Sequence, residues 1–134
     1  MRGLVGGARV GRLGTVSGEG QPHLVPICFA VVGEIVYHAV DHKPKRSHDL
    51  RRIANIRATH RVSLLVDEYH DADWSRLWWV RLDGTARLVT DEPERGQALD
   101  ALAARYAQYR TTRPAGPVIA IDVDRWSGWS ANGC

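Results

Sequence analysis

The feature of the sequence that most constrains the fold is a long alternation of side-chain type from Arg76 to Thr90. Successive side chains of a β-strand point to opposite faces, so this pattern predicts one long strand with one buried face. The alternation persists through Asp83 and Gly84, which favours one strand bent at Gly84 over two strands joined by a turn. One face carries Trp78, Val80, Leu82, Ala86 and Leu88, and the other carries Trp79, Arg81, Asp83, Thr85 and Arg87.

Five further segments have the composition of strands. Gly11 and Gly14 in the first suggest a bulge or a close backbone approach, and Pro26 in the second marks an edge or a bulge. Gly33-Glu34 fits a tight hairpin turn between the second and third. The five segments are Ala8–Val16, Pro22–Val32, Ile35–Val40, His60–Asp67 and Pro117–Asp124.

Two segments have the features of helices. Residues Lys45 to Ala58 carry apolar side chains at helical spacing, and Asp91 to Ala107 begins with a capping acid and a proline in the first turn. Residues 1–7 are short and glycine-rich, and we expect them to be poorly ordered. The order β-β-β-α-β-β-α-β predicts a mainly β, six-stranded antiparallel barrel with two helices, in one domain from residue 8 to 134.

Composition limits the classes of partner. The formal net charge of +3 over 134 residues favours an anionic ligand and is too small to predict a nucleic-acid partner. No apolar run is long enough for a membrane helix, and the N-terminus has no signal peptide, so we expect a cytoplasmic protein without a membrane partner. Cys28 and Cys134 are not at zinc-ligand spacing, which predicts no metal site.

The segment Asp41 to Arg52, DHKPKRSHDLRR, is the strongest candidate binding feature. It contains five of the chain's 18 Lys and Arg residues and leads from a predicted strand into a helix. Basic side chains next to a helix N-terminus can bind an anion through their charge and through free backbone N–H groups. The segment therefore predicts the phosphate site of an organic cofactor, and the alternative is a solvated basic turn. Its cations are Lys43, Lys45, Arg46, Arg51 and Arg52.

The chain resembles a known family. The most specific evidence for the family is in two sequence segments, VDHKPKRSHDLRRIANI and DWSRLWWVRLDGTARLV. Three further segments support the resemblance: RVGRLGTVSGEGQPHLVPICFAV, HRVSLLVD and GPVIAIDVDRWSGWSA. They resemble the pyridoxamine-phosphate-oxidase-like split β-barrel proteins of the FMN- or F420-binding type. Within that group they resemble the actinobacterial branch of coenzyme F420-dependent (deazaflavin) oxidoreductases. The resemblance covers roughly Ala8 to Ala131.

The resemblance implies a cofactor and its site. It implies a homodimer with coenzyme F420 in a groove between two barrels, and hydride transfer to a small conjugated or quinone-like substrate. The implied phosphate ligands are Lys43, Lys45 and Arg46, with Arg52 on the following helix, and backbone around His38 would flank the cofactor. The open alternatives are an FMN-dependent enzyme of the same fold, or a non-catalytic protein that binds a flavin, a deazaflavin or haem.

Three tryptophans are candidates for the groove or the substrate end of the site. Trp79 shares a strand face with Arg81, which places it either at the dimer contact or in the groove. Trp126 and Trp129 follow the last predicted strand, where they either line the groove or pack against the barrel. We identify no catalytic acid or base, because a deazaflavin carries the hydride on its own ring.

Overall fold

The computed structural model describes residues 1–40 and 46–133, and of residues 46–50 it describes the backbone alone. The helices in this part of the chain are α1 (Arg2–Gly7), α2 (Arg46–Thr59), α3 (Glu94–Arg105) and α4 (Ala107–Thr111). The strands are β1 (Gly11–Val16), β2 (Pro22–Ile27), β3 (Ala30–Val32), β4 (Ile35–Ala39), β5 (Arg61–Glu68), β6 (Trp78–Val89) and β7 (Val118–Ser130).

The strands form one antiparallel sheet in the order β2-β1-β5-β6-β7-β4-β3. The sheet curls into a split barrel, which confirms the predicted fold class. The described chain has seven strands where the sequence predicted six, because the segment Pro22–Val32 is divided into β2 and β3. The division lies at Phe29, whose backbone N–H donates to the Tyr106 hydroxyl (3.2 Å) and whose carbonyl accepts from Arg105 (2.8 Å). These side chains replace ladder bonds at that residue.

Strand β6 confirms the prediction of one long bent strand. Its pairing with β7 shifts register at Asp83 and Gly84, where Asp83 faces Arg125 and Gly84 faces Val123. Asp124 is therefore the extra residue of a bulge. Strand β7 continues to Ser130, beyond the predicted end at Asp124, because its second half pairs with the first half of β6.

The N-terminus differs from the expectation of a poorly ordered segment. Residues Arg2 to Gly7 form α1, and Val5 on this helix is fully buried in the barrel core. The Arg2 guanidinium pairs with Glu34 and lies 5.7 Å from the centre of the Trp126 ring. The buried Val5 side chain and these contacts explain why a glycine-rich segment is helical here.

The two predicted helices are confirmed with changed bounds. Helix α2 covers Arg46–Thr59, and its Asn55 side chain donates to the buried Thr15 hydroxyl (3.0 Å). The second predicted helix is α3 followed by α4, with a break at Tyr106. The Tyr106 hydroxyl is hydrogen-bonded to Phe29 and to the Arg9 carbonyl, which holds the break against the residues that precede β3 and β1.

A polar network holds α3 against the sheet. Arg87 donates through two nitrogens to Glu94 (2.8 Å each) and also to Asp122 (2.8 Å), while the Tyr37 hydroxyl donates to Glu94 (2.7 Å). Burial raises the pKa of Tyr37 to about 12, and the bond to the Glu94 carboxylate adds to the effect. The Arg87 and Tyr37 bonds hold the pKa of Glu94 below its usual range. Glu94, at the start of α3, therefore accepts hydrogen bonds from side chains on two strands, β4 and β6.

Replacing Gly84 by Ala is expected to destabilise the barrel. A Cβ at this position would lie 2.4 Å from the Asp122 carbonyl oxygen, so the backbone of the bulge would have to move. We expect the free energy of unfolding in urea to fall by about 1–3 kcal/mol, as for other overpacked sites.

The matched control is Gly18→Ala in the β1–β2 turn. A Cβ there would lie 3.9 Å from the Ala58 Cβ, which is ordinary contact. We expect a change within about 0.5 kcal/mol for this variant. Equal stability of the Gly84→Ala and Gly18→Ala proteins would contradict the close approach at Gly84.

Candidate functional site

The basic segment joins a strand to a helix, as the sequence predicted. Strand β4 ends at Ala39, the Val40 N–H donates to the Pro117 carbonyl (3.2 Å), and α2 begins at Arg46. The predicted phosphate ligands Lys43 and Lys45 lie outside the described residues, as does the side chain of Arg46. Their role in binding an anion stays a prediction.

The other two residues predicted for cofactor binding, His38 and Arg52, contact each other inside the protein. Both are 5% exposed. An Arg52 Nη donates to Nε2 of His38, and Nδ1 of His38 lies 3.0 Å from the Cys28 carbonyl oxygen. A guanidinium can only donate, so Nε2 accepts and the proton of the neutral ring is on Nδ1, which donates to Cys28.

The hydrogen bond between Arg52 and His38 connects α2 to β4. His38 is on β4, Arg52 is on α2, and Cys28 lies between β2 and β3. Burial lowers the pKa of His38 to about 3, and the adjacent Arg52 guanidinium adds to this effect. The imidazole is therefore neutral at physiological pH. The two side chains thus link the helix that follows the basic segment to β4, and their part in cofactor binding stays a prediction.

The neutral state of His38 predicts a pH dependence of stability. The pKa is 6.5 in the unfolded chain and about 3 in the fold, so the unfolded chain binds the extra proton between these values. The free energy of unfolding should therefore fall as pH falls below 6.5, by up to about 1.4 kcal/mol per pH unit from this one group. Urea unfolding measured from pH 7 to pH 4 gives the slope.

The variant His38→Gln removes the titrating group and keeps an acceptor and donors, so it should show a shallower slope than the wild type. Because carboxylates also titrate in this range, the comparison is between variants. His70→Gln, at a partly exposed loop histidine that pairs with Glu68, is the control. Identical slopes for wild type and His38→Gln would contradict the buried neutral imidazole.

An open groove runs along the outer face of β2, β1, β5 and β6. We call its first part the apolar compartment, with a volume of about 660 Å³. Large apolar side chains are exposed in it: Leu24 is 74% exposed, Leu65 40% and Trp79 36%. The strand register places Leu65 between Arg12 on β1 and Arg81 on β6, so basic side chains flank this apolar surface. The lining residues are Arg12, Gly14, Leu24, Ser63, Leu65, Asp67, Trp79 and Arg81.

The groove continues into a second part, the polar compartment, with a volume of about 570 Å³. Gly14 and Ser63 line both compartments, so the two adjoin at these residues. The Ser63 hydroxyl donates to Asp83 (2.5 Å), which fixes one wall. The other lining residues of the polar compartment are Thr15, Val16, Arg61, Val62, Asp124 and Arg125.

Three of the four arginines that line the groove form ion pairs with neighbouring aspartates at the surface. Arg12 is 3.3 Å from Asp67, Arg81 is 3.4 Å from Asp83, and Arg61 is 3.5 Å from Asp124. All three arginine side chains are between 45% and 65% exposed. Exposed pairs at such distances contribute little to stability, so these guanidinium groups can turn to an anionic ligand at small cost.

The tryptophans predicted for the groove occupy two different faces of the sheet. Trp79 lies in the apolar compartment, and Trp129 faces it across the β6–β7 ladder with half of its surface exposed. Trp126 pairs with the buried Leu82 and packs against the barrel core. The structure thus brings Trp79 and Trp129 to the outer face and places Trp126 on the inner one.

The chain matches a known family over nearly its whole length. Residues 1–130 match the family described as pyridoxamine 5′-phosphate oxidase. The chain belongs to this family. The family predicted from the sequence is therefore confirmed, and the deazaflavin-dependent branch within it stays a prediction. No curated protein matches the chain.

Solved structures share the fold at low identity. An FAD-binding protein from Mesorhizobium loti is 24% identical, with a TM-score of 0.72, over 95% of this chain and 89% of that one. An FAD-binding protein from Mycobacterium smegmatis is 20% identical, with a TM-score of 0.64, over 95% and 89%. The heme storage protein HutZ from Vibrio cholerae is 14% identical, with a TM-score of 0.73, over 96% and 90%. These identities establish the fold alone.

The groove of this pyridoxamine 5′-phosphate oxidase family member combines an apolar surface with basic side chains. Exposed apolar side chains offer a surface for a ring, and the arginines offer donors for anionic or carbonyl groups. Gly14 lines both compartments without a side chain, and a Cβ there would lie 3.2 Å from Leu24. The described residues contain no group of three or more His, Cys, Asp or Glu that could hold a metal ion.

Sequence reasoning missed most of the groove. It placed Trp79, Arg81 and Asp83 on one strand face but assigned Leu24 and Gly14 no role in binding. A signal was present in β5, where Leu65 interrupts the polar face formed by Ser63 and Asp67. A single exposed leucine is common, but Leu65 together with Leu24 and Trp79 forms an exposed apolar patch, which is typical of a binding surface. No helix in the described part of the chain is long and apolar enough to cross a membrane.

Proposed function

We propose that this chain binds coenzyme F420 and acts as a deazaflavin-dependent oxidoreductase on a small conjugated or quinone-like substrate. The observation that carries the proposal is the outer groove, in which an apolar compartment with Trp79 continues into a polar compartment with Arg61 and Arg125. Such a groove would accommodate a ring and an anionic part of one molecule side by side.

The basic segment favours the deazaflavin over FMN. Lys43, Lys45 and Arg46 lie close together in the basic segment, and Arg12, Arg61, Arg81 and Arg125 lie along the groove. FMN has one phosphate, for which fewer cations would be enough, whereas F420 carries a phosphate and an acidic tail. Charge-assisted hydrogen bonds from several cations match the longer anionic chain.

The residues of this chain bind and orient the cofactor and exclude water. When bound, the deazaflavin supplies hydride chemistry from its own ring. Lys43, Lys45 and Arg46 would hold the phosphate, and the His38–Arg52 contact would keep α2 in place behind them. Leu24, Leu65 and Trp79 would pack on the ring, which lowers the access of water to it.

We also propose that the active form is a homodimer with the outer face at the contact. Leu24, Leu65, Trp79 and Trp129 are exposed on one side of the sheet. Exposed apolar side chains grouped in this way are typical of protein interfaces. A second copy would cover this face and could supply its basic segment to the groove. In that arrangement, the groove of one chain and the basic segment of its partner would together form one site.

Cofactor choice is tested by fluorescence and absorbance titration of the purified protein with F420, FMN, FAD and haem in turn. We expect F420 to bind most tightly. The double variant Lys45→Ala/Arg46→Ala should bind it on the order of 100-fold more weakly, because two charge-assisted hydrogen bonds are lost at about 1.5 kcal/mol each. Its urea stability should match the wild type.

The matched control is Arg51→Ala, which removes an exposed cation from α2 and should leave the affinity within about threefold. Tight binding of FMN, FAD or haem without binding of F420 would replace the proposed cofactor. Equal F420 affinity of the double variant and the wild type would remove the basic segment from the site.

Dimerisation is tested by light scattering at micromolar concentration. We expect a mass of twice the 14.9 kDa chain. Leu24→Asp places a charge on the outer face and should shift the protein to monomer, because burying an unpaired carboxylate at an interface is unfavourable. Val32→Asp, at an exposed valine on β3, is the control and should remain dimeric. A monomeric wild type would contradict the proposal.

A further inference from the structure

Gly14 lies at the junction of the two compartments. It is in β1, between Leu24 on β2 and Ser63 on β5, in the middle of paired strands. It lines both the apolar and the polar compartment, a property that it shares with Ser63. Whatever molecule occupies both compartments must cross the β1–β5 pair at this place.

The backbone does not require glycine at position 14. The glycines with left-handed φ among the described residues are Gly20, Gly33 and Gly133. Gly14 has the ordinary extended conformation of a strand, which every L-residue adopts. Glycine is unfavourable in strand interiors, since it loses more conformational entropy on folding and offers no side chain to pack.

Packing does not require glycine there either. A Cβ on Gly14 would lie 3.2 Å from the Leu24 Cδ2, the end of an exposed side chain that can move, and 3.6 Å from the Ser63 carbonyl oxygen. Gly11 on the same strand is different, because its Cβ would lie 2.9 Å from Leu64 and 3.3 Å from Phe29 in the core. A Cβ on Gly84 would lie 2.4 Å from the backbone carbonyl oxygen of Asp122. Of these three strand glycines, only Gly14 faces the open groove.

We propose that Gly14 is a specificity-determining residue that keeps the two compartments joined for a ligand with a flat apolar ring and an anionic part. The inference rests on the proposed function and adds to it the feature that selects an extended cofactor. With glycine at the junction, such a ligand can lie on Leu65 and Trp79 and reach toward Arg61. A branched side chain at position 14 would stand in the passage and divide the groove.

The consequence for stability is opposite to the consequence for binding. Valine has a high preference for strands, and position 14 has an extended backbone and a movable neighbour. Gly14→Val should therefore keep or raise the melting temperature while it obstructs the ligand. A residue that served only packing would show the reverse for stability, as expected for Gly84→Ala.

The experiment compares F420 affinity, melting temperature and light-scattering mass for wild type, Gly14→Ala, Gly14→Val and Gly18→Ala. Gly18→Ala changes a turn glycine outside the groove and is the matched control. We expect control and wild type to bind alike, and Gly14→Val to bind about tenfold more weakly or worse. Gly14→Ala, which adds one methyl group, should fall between them. All four proteins should have the same mass in light scattering.

Each possible result either supports or overturns the role proposed for Gly14. Unchanged F420 affinity in Gly14→Val, with wild type binding F420, would overturn the role of Gly14 and leave the proposed function standing. A lower melting temperature in both Gly14→Ala and Gly14→Val would assign the glycine to packing and also overturn it. Absence of F420 binding by the wild type would overturn the proposed function itself, and this inference would fall with it. Should Gly14→Val not fold, Gly14→Ala decides by the same two measurements.

Discussion

The pairing of β6 with β7 is the constraint on which the rest of the barrel depends. The ladder extends from Trp78 to Val89, and both of its strands have a second neighbour over only part of their length. The first part of β6 joins β5, and the first part of β7 joins β4. The bulge at Asp124 bends the ladder between these parts. One long pair therefore holds together a half-sheet with the outer groove and a half-sheet that leads to the basic segment.

The parts of the fold that could be predicted from sequence are those in which one physical requirement dominates. The alternation around Val80 and Leu82 has a single explanation, a strand with one buried face, and it survives the bend at Gly84 because the extra residue is on the partner strand. The second half of β7 was missed because Trp126 and Gly128 carry no simple pattern. Its pairing is set by β6, which is distant in sequence, and long-range contacts of this kind override local preference.

The site was predicted less completely because a groove is a property of several strands. Trp79 could be placed on an outer face from one strand alone. The grouping of Leu24, Gly14 and Leu65 with it depends on the β2-β1-β5-β6 order, which no local pattern states. The family resemblance implied cofactor contacts for Arg52 and for the backbone around His38, and these stay predictions. The mutual contact of the two side chains could not be predicted, because it depends on how α2 packs on β4. The roles of Lys43 and Lys45 remain as the sequence predicted them.

The arrangement of His38 has a consequence for the chemistry open to this barrel. Its ring uses one nitrogen to accept from Arg52 and the other to donate to Cys28. A lone pair already shared with a guanidinium is not free to coordinate iron, and a proton held by a backbone carbonyl is not free to move to a substrate. The only histidine buried among the described residues is thus withdrawn from both axial ligation and acid–base transfer.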